Sequence, residues 1–162
     1  MSNGRAVEST SVARVRAAAM ELGLASNVVE FAEGARTAQE AASAVGCDVD
    51  QIAKSMIFEA DGHMVLALTS GSNSVDPVKL AALASASVCD RAKPSDVRAV
   101  TGFAIGGVSP LGHLRPIRCW IDPRLLDFAT IWVAAGTPHH VLEVPSDRLV
   151  DTTNGRVADF VA

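Results

Sequence analysis

Thr101 to Pro116 reads TGFAIGGVSPLGHLRP, and the rest of the chain is organised around it. The stretch holds four glycines and two prolines among apolar residues. Thr101 to Ile105 has the composition of a short buried strand. Gly106 and Gly107 then admit dihedrals that a Cβ forbids. Pro110 fixes φ, removes a donor and holds Ser109 extended. Gly112 frees the chain again. The pattern predicts a tight loop with bare backbone amides at the mouth of a sheet. Such loops bind ligands through the main chain, and they also serve as plain connections between strands. Composition alone leaves both readings open.

Working outward, Pro94-Ser95-Asp96 starts a short helix that ends near Thr101, and Ile117 to Ile121 reads as a strand. Further upstream, Lys54 to Phe58 and Met64 to Thr69 flank Asp61-Gly62, a strong hairpin signal. Thr37-Ala38-Gln39-Glu40 matches the capping-box pattern, with Ala38, Ala41, Ala42 and Val45 on its inner face. Val12, Val15, Ala19 and Leu22 recur at helical spacing after Ser9, Thr10 or Ser11, and Gly23 stops that helix. Asp76-Pro77 opens a helix to about Ala84. Asn27–Phe31, Ser87–Asp90, Ala129–Ala134 and His140–Val144 read as further strands, and Pro145 to Val150 as a last short helix. Hairpins mixed with scattered helices predict an α+β fold, with a twisted, mostly antiparallel mixed sheet of barrel-like form. Residues 1–162 read as a single domain, with 1–8 a loose tail.

The chain has 162 residues, 49% of them apolar, and a formal net charge of −4. That length supports one real core. An RNA-coating protein is usually basic, so any RNA footprint here is small, for instance one terminus in a pocket. No apolar run reaches the roughly 18 residues of a membrane span, and MSNGRAVESTS has no signal-peptide h-region. Cys47, Cys89 and Cys119 are odd in number and far apart. They suit a reduced, cytoplasmic protein better than a disulfide or zinc framework.

The ordinary nucleotide and metal motifs are missing: no GxxxxGK[ST], no GxGxxG before a long helix, no HExxH. His139 and His140 are adjacent and on a strand point to opposite faces. His113 and His63 read as rim or exposed residues. No Ser-His-Asp or Cys-His set can be read from spacing, and Ser109 lacks the G-x-S-x-G elbow. Lys54 is more informative. It stands where a helical turn, Asp48 to Ala53, meets an apolar strand. There its ammonium can reach a cleft at the sheet's end and meet a phosphate or an oxyanion. A snorkelling surface lysine is the other reading.

The chain from about Ser11 to Asp151 resembles the YbaK/prolyl-tRNA synthetase-associated (ProX-like, EbsC-like) editing domains. Four pieces carry the resemblance, in family order: Thr37-Ala38-Gln39-Glu40-Ala41-Ala42, Gln51-Ile52-Ala53-Lys54-Ser55-Met56, Gly106 to Gly112, and Val133-Ala134-Ala135-Gly136. The resemblance implies an aminoacyl-tRNA deacylase that acts in trans, with Lys54 as the functional lysine near the tRNA 3′ end or the aminoacyl ester. It implies that Gly106, Gly107, Ser109 and Pro110 shape the substrate pocket, and that Gly136 and Thr137 sit at its edge. It implies no cofactor and no metal. The implied partners are the tRNA acceptor end and prolyl-tRNA synthetase. The alanine-editing branch carries a histidine near Gly136, so cysteinyl-tRNA(Pro) or another small noncognate aminoacyl-tRNA is the implied substrate. Two alternatives accompany this: a non-catalytic module that binds an aminoacyl or nucleotide end or a synthetase, and a hydrolase for some other small ester or thioester.

Overall fold

The structure, a computed structural model, describes residues 9–162; the expected loose tail, 1–8, lies outside the described residues. In chain order the elements are α1 (Thr10–Glu21), β1 (Val28–Glu30), α2 (Ala38–Val45), β2 (Ile52–Ala60), β3 (His63–Ser70), α3 (Pro77–Leu83), β4 (Cys89–Arg91), α4 (Pro94–Thr101), β5 (Arg118–Ile121), β6 (Thr130–Ala134), β7 (His140–Pro145), α5 (Leu149–Thr153) and β8 (Arg156–Val157). Short 3₁₀ turns at Val49–Gln51, Pro123–Asp127 and Ser146–Arg148 join them.

The hairpin β2–β3 is the spine. Asp61 and Gly62 both take positive φ, 48° and 86°, as a two-residue turn between right-twisted strands requires. The Asp61 carboxylate accepts the Ser87 and Val88 N–H groups at 2.8 and 3.0 Å, and those bonds hold its carboxyl below the usual range. The turn thus also pins the entry to β4. The sheet runs β1-β7-β6-β2-β3-β5-β8, with β4 paired to β2 farther along the edge that β6 also uses. The pairs β1–β7, β2–β3, β2–β4 and β6–β7 are antiparallel; β2–β6, β3–β5 and β5–β8 are parallel. The fold is α+β with a mixed sheet.

One face of the spine packs Ile57, Leu66 and Leu68 against α1, α4 and the 103–111 loop. The other packs Phe58, Val65 and Ala67 against α3, Trp120 and Phe160. The helix caps form where the sequence places them. Thr37 accepts the Glu40 N–H at 3.1 Å, and Asp76 accepts the Val78 N–H at 2.9 Å ahead of Pro77.

The expected strand Thr101–Ile105 does not form. Thr101 is the last residue of α4, and Gly102 turns left-handed at φ 81°. The Thr101 hydroxyl donates to Val97 O at 2.7 Å and accepts the Phe103 N–H at 3.0 Å. A β-branched residue that reads as strand is used as a helix-end cap. Phe103, fully buried, anchors the loop instead of a strand.

Candidate functional site

The cleft is a consequence of the pairing. β2 is laddered to β3 from Ala53 to Ala60. On its other edge it meets β6 only at Ile52 and Ala53, and β4 only from Phe58 to Ala60, with one further bond from Ala92 N–H to Ile57 O at 3.1 Å. Between those contacts the described residues place no strand beside the edge. Alternate residues of a strand send their main-chain groups to the same edge, so Ser55 turns its N–H and C=O to the gap, as Ile57 does toward β4. A cleft of about 830 Å³ opens there, lined among others by Lys54, Ser55, Arg91, Gly106, Val108 and Thr137.

Lys54 stands half-buried on this edge. Its Nζ donates to the Asn73 carbonyl at 2.6 Å. Asn73 is fixed in turn, since its Nδ2 donates to Asp122 Oδ2 at 2.8 Å. Asp122 is 2% exposed and also accepts the Ser70 and Arg124 N–H groups, both at 3.0 Å. Asp50 ties the same loop by accepting the Ser72 N–H at 3.0 Å and the Arg124 Nε–H at 3.2 Å. Burial pushes the Lys54 amine below its ordinary value, and the Arg91 guanidinium pushes the same way. The Asp122 and Asp50 carboxylates pull back. The bonded partner of this ammonium is a neutral carbonyl, which leaves its charge for an anion or a polarised carbonyl. A smaller hollow of about 170 Å³, with Thr69, Asn73 and Ser74 in its wall, shares Lys54 and Arg91 with the cleft.

The glycine-proline loop forms the facing rim. Arg14 of α1 holds it, with Nε donating to Gly112 O at 2.8 Å and the guanidinium 4.4 Å from the Phe103 ring centre. Gly106 needs its glycine for φ, at 94°. Gly107 needs its own for space, because a Cβ there would sit 2.6 Å from Thr137 Cα. That contact presses the loop onto the turn after β6. Gly136, at φ 103°, is buried against the Ser11 backbone.

The residues singled out in the sequence divide accordingly. Lys54, Gly106 and Thr137 line the cleft. Gly107 and Gly136 are buried behind that surface, where they set the approach of one backbone to another. The Gly107 N–H is spent on Ala104 O at 3.0 Å, so it does not point into the cleft as a free amide. Ser109 and Pro110 are buried on the loop's underside. There the Ser109 hydroxyl accepts the Leu111 N–H at 3.1 Å, and the Ser109 carbonyl meets His113 Nε2 at 2.6 Å. Neither lines the cleft; their place is in the support of the loop. Burial holds His113 below its ordinary pKa, with Arg14 adding to that and the Ser109 carbonyl opposing it. A neutral structural imidazole fits that position.

Sequence reasoning missed three things. The main chain and buried hydroxyl of Ser55 become visible only with the gap in the sheet. Arg91 reaches the cleft from β4. And Thr137, His140 and Glu30 form a hydrogen-bonded file: Thr137 Oγ1 is 2.5 Å from His140 Nδ1, and His140 Nε2 is 3.1 Å from Glu30 Oε2. Glu30 lies opposite His140 in the β1–β7 ladder. Among the described residues no group of three or more His, Cys, Asp or Glu is placed to hold a metal ion. No helix among them is long and apolar enough to cross a membrane.

A gap in a mixed sheet, a half-desolvated lysine beside it and a glycine-shaped rim together define the candidate site of this α+β fold. The chain belongs to the aminoacyl-tRNA editing domain family, which matches residues 32–152. It is 39% identical, at a TM-score of 0.90, to a solved protein put forward as a trans-editing enzyme for prolyl tRNA synthetase, with 96% of this chain and 99% of that one covered. It is 33% identical over 126 residues to the proline–tRNA ligase of Bacillus licheniformis; these are 77% of this chain but 22% of the ligase. The uncharacterised protein YwhH of Bacillus subtilis is 26% identical over 131 residues, 81% of this chain and 83% of its own. Family membership makes the chain an aminoacyl-tRNA deacylase by class.

Proposed function

We propose that the chain works as one trans-editing domain that hydrolyses mischarged tRNA(Pro), with cysteinyl-tRNA(Pro) or a similar small noncognate ester as its substrate. The observation that carries the reading is Lys54: a partly desolvated ammonium, steadied by Asn73 and Asp122, on the free edge of β2 and facing an open cleft. The likeness to a proposed prolyl-tRNA synthetase trans-editing enzyme supports tRNA(Pro) and the synthetase as partners. Three unpaired thiols fit a cytoplasmic setting.

In this reading the acceptor end enters the cleft and the ester carbonyl lies near the Lys54 ammonium, which stabilises the charge that develops on its oxygen. Gly106 and Thr137 touch the aminoacyl group, while Gly107, Ser109, Pro110 and Gly136 fix the shape of the rim. For a cysteinyl ester, the substrate's own thiol can attack the carbonyl and release the tRNA as the C–O bond breaks; water then opens the resulting thiolactone to free cysteine, and no protein nucleophile is needed. Pocket volume sets selectivity, and it does so coarsely, because one methylene is worth only about 1–3 kcal/mol. A net charge of −4 favours a contact limited to the acceptor end.

The test is deacylation of Cys-, Ala- and Ser-tRNA(Pro), with and without prolyl-tRNA synthetase. The expected result is cleavage of the cysteinyl ester first. Tight binding without turnover across the panel would replace the enzyme with a binding module. Equal turnover of an aminoacyl-adenosine without its tRNA body would point to a general small-ester hydrolase.

A further inference from the structure

The file at the rim of the cleft has a polarity that can be read from its contacts. His140 Nε2 lies 3.1 Å from the Glu30 carboxylate, which can only accept, so Nε2 carries the ring proton. In the neutral ring Nδ1 is then the acceptor, and the 2.5 Å bridge to it is made by the Thr137 hydroxyl's own hydrogen, while the same oxygen accepts the His139 N–H at 3.1 Å. This tautomer is assigned from the network. The order carboxylate, imidazole, hydroxyl is the one in which a ring nitrogen can draw off a hydroxyl proton. Thr137 and His140 both line the cleft, and the approach of Gly107 to Thr137 Cα sets the hydroxyl beside the glycine loop. The His139 N–H caps the turn, and the bonds on to His140 and Glu30 carry the network from the cleft across the β1–β7 ladder.

We propose that Thr137, backed by His140 and Glu30, takes the proton from the hydrolytic water during deacylation. The proposal rests on the editing reading and concerns the step itself. Water oxygen bonds to the ester carbonyl carbon as its proton passes to Thr137 Oγ1 and the threonine proton passes to His140 Nδ1. Glu30 stabilises the imidazolium. The tetrahedral intermediate then breaks its bond to the ribose oxygen, and the proton returns along the file to that oxygen. Free amino acid and uncharged tRNA leave. Thr137 is the catalytic residue; His140 and Glu30 are positioning residues that act through it.

The experiment is steady-state deacylation, by the full chain, of whichever mischarged tRNA(Pro) it hydrolyses. Thr137→Val removes the hydroxyl at nearly constant volume. It should lower kcat about a hundredfold, at the lower end of general-base effects, with KM little changed and the solvent deuterium isotope effect on kcat abolished. Thr137→Ser should restore most of that loss, and Glu30→Gln should give a smaller drop of the same kind. A Thr137→Val protein within about threefold of the parent kcat would overturn the relay, as would a Thr137→Ser protein as slow as Thr137→Val. If Thr137→Val fails to fold, Glu30→Gln decides, since its carboxylate is 70% exposed; an unchanged kcat there sinks the proposal. An intact protein that cleaves none of the mischarged tRNAs removes the editing function and the relay together. Cleavage that ignores Thr137 removes the relay alone.

Discussion

The two rims of the cleft are built by different physics. The lysine rim is a strand in the middle of the sheet, laddered to β3 over eight residue pairs and backed by a buried aspartate with three donors on it. Directional bonds fix its geometry. The loop rim has no ladder. Arg14 ties it to α1 through Gly112 O, but its distance from the cleft's other wall is set by missing side chains: Gly107 against Thr137, and Gly136 against Ser11. Directional bonds fix where the ammonium sits, whereas a missing Cβ only permits a close approach. The protein therefore keeps its ammonium on the first kind of support and the shape-determining wall of its pocket on the second.

The largest expected effect breaks the lysine rim without touching the loop. Lys54→Met keeps the stem and deletes the charge. Deacylation should fall by a hundredfold or more, the loss typical of removing one donor from a developing oxyanion, while the far-ultraviolet circular dichroism spectrum stays unchanged. Stability should move the other way. Burial holds the Lys54 amine below its ordinary value, so just under the ordinary lysine pKa the native state binds fewer protons than the unfolded chain. Stability then rises with pH in that window, and the ammonium is a net cost at neutral pH. The melting temperature of Lys54→Met should equal or exceed that of the parent. A mutant that melts well below it would mean that the ammonium holds the 70–74 loop together and is a net contributor to stability.

The second effect sharpens the loop rim. Gly106 and Gly107 are neighbours with different needs, and the alanine variants should separate them. A Cβ on Gly107 meets backbone at 2.6 Å, which no rotamer can relieve. Gly107→Ala should cost about 2 kcal/mol, in the range of overpacking, and should lower kcat by moving Thr137. A Cβ on Gly106 meets only Pro138 Cγ at 3.5 Å but must adopt φ of 94°. Gly106→Ala should cost about 1–2 kcal/mol through backbone strain and leave Thr137 in place. Denaturant unfolding gives the stabilities. Equal kcat values for the two variants would show that the close approach of loop and turn has no bearing on the chemistry.

The same contrast explains what could be read from the sequence. Local signals were sufficient for the hairpin, because Asp61-Gly62 carries its turn geometry with it, and for the Thr37 and Asp76 caps, whose partners lie within three residues. Lys54 was legible as the exception in an apolar strand. The loop's glycines were legible as glycines, but their division of labour was not, since Gly107 answers to a turn thirty residues away. Thr101–Ile105 misled because β-branched and aromatic residues serve a helix end as well as a strand, and Gly102 decides between them. The gap in the sheet was invisible. It arises because β4 and β6 both pair with β2 and stop short of each other, and neither segment signals where it will end. Nor could spacing announce Glu30 beside His140, which are 110 positions apart.

The smallest effect returns to the sheet beneath Lys54. Among the described residues, the side-chain oxygens of Ser55 and Thr69 are buried with no hydrogen-bond partner. Thr69 is fully buried on β3, opposite Lys54 in the ladder, and borders the 170 Å³ hollow. A buried hydroxyl without a partner costs about 1–3 kcal/mol in desolvation, and valine has nearly the same shape. Thr69→Val should therefore raise stability by about 1 kcal/mol. If the hollow is only a packing defect, catalysis should not change. If the hydroxyl is held bare because substrate completes it, the same variant should gain stability and raise KM for the mischarged tRNA, with kcat preserved. Paired unfolding and kinetic measurements on this one variant separate a flaw in the stiff rim from a contact kept open for the ligand; a loss of stability would contradict both.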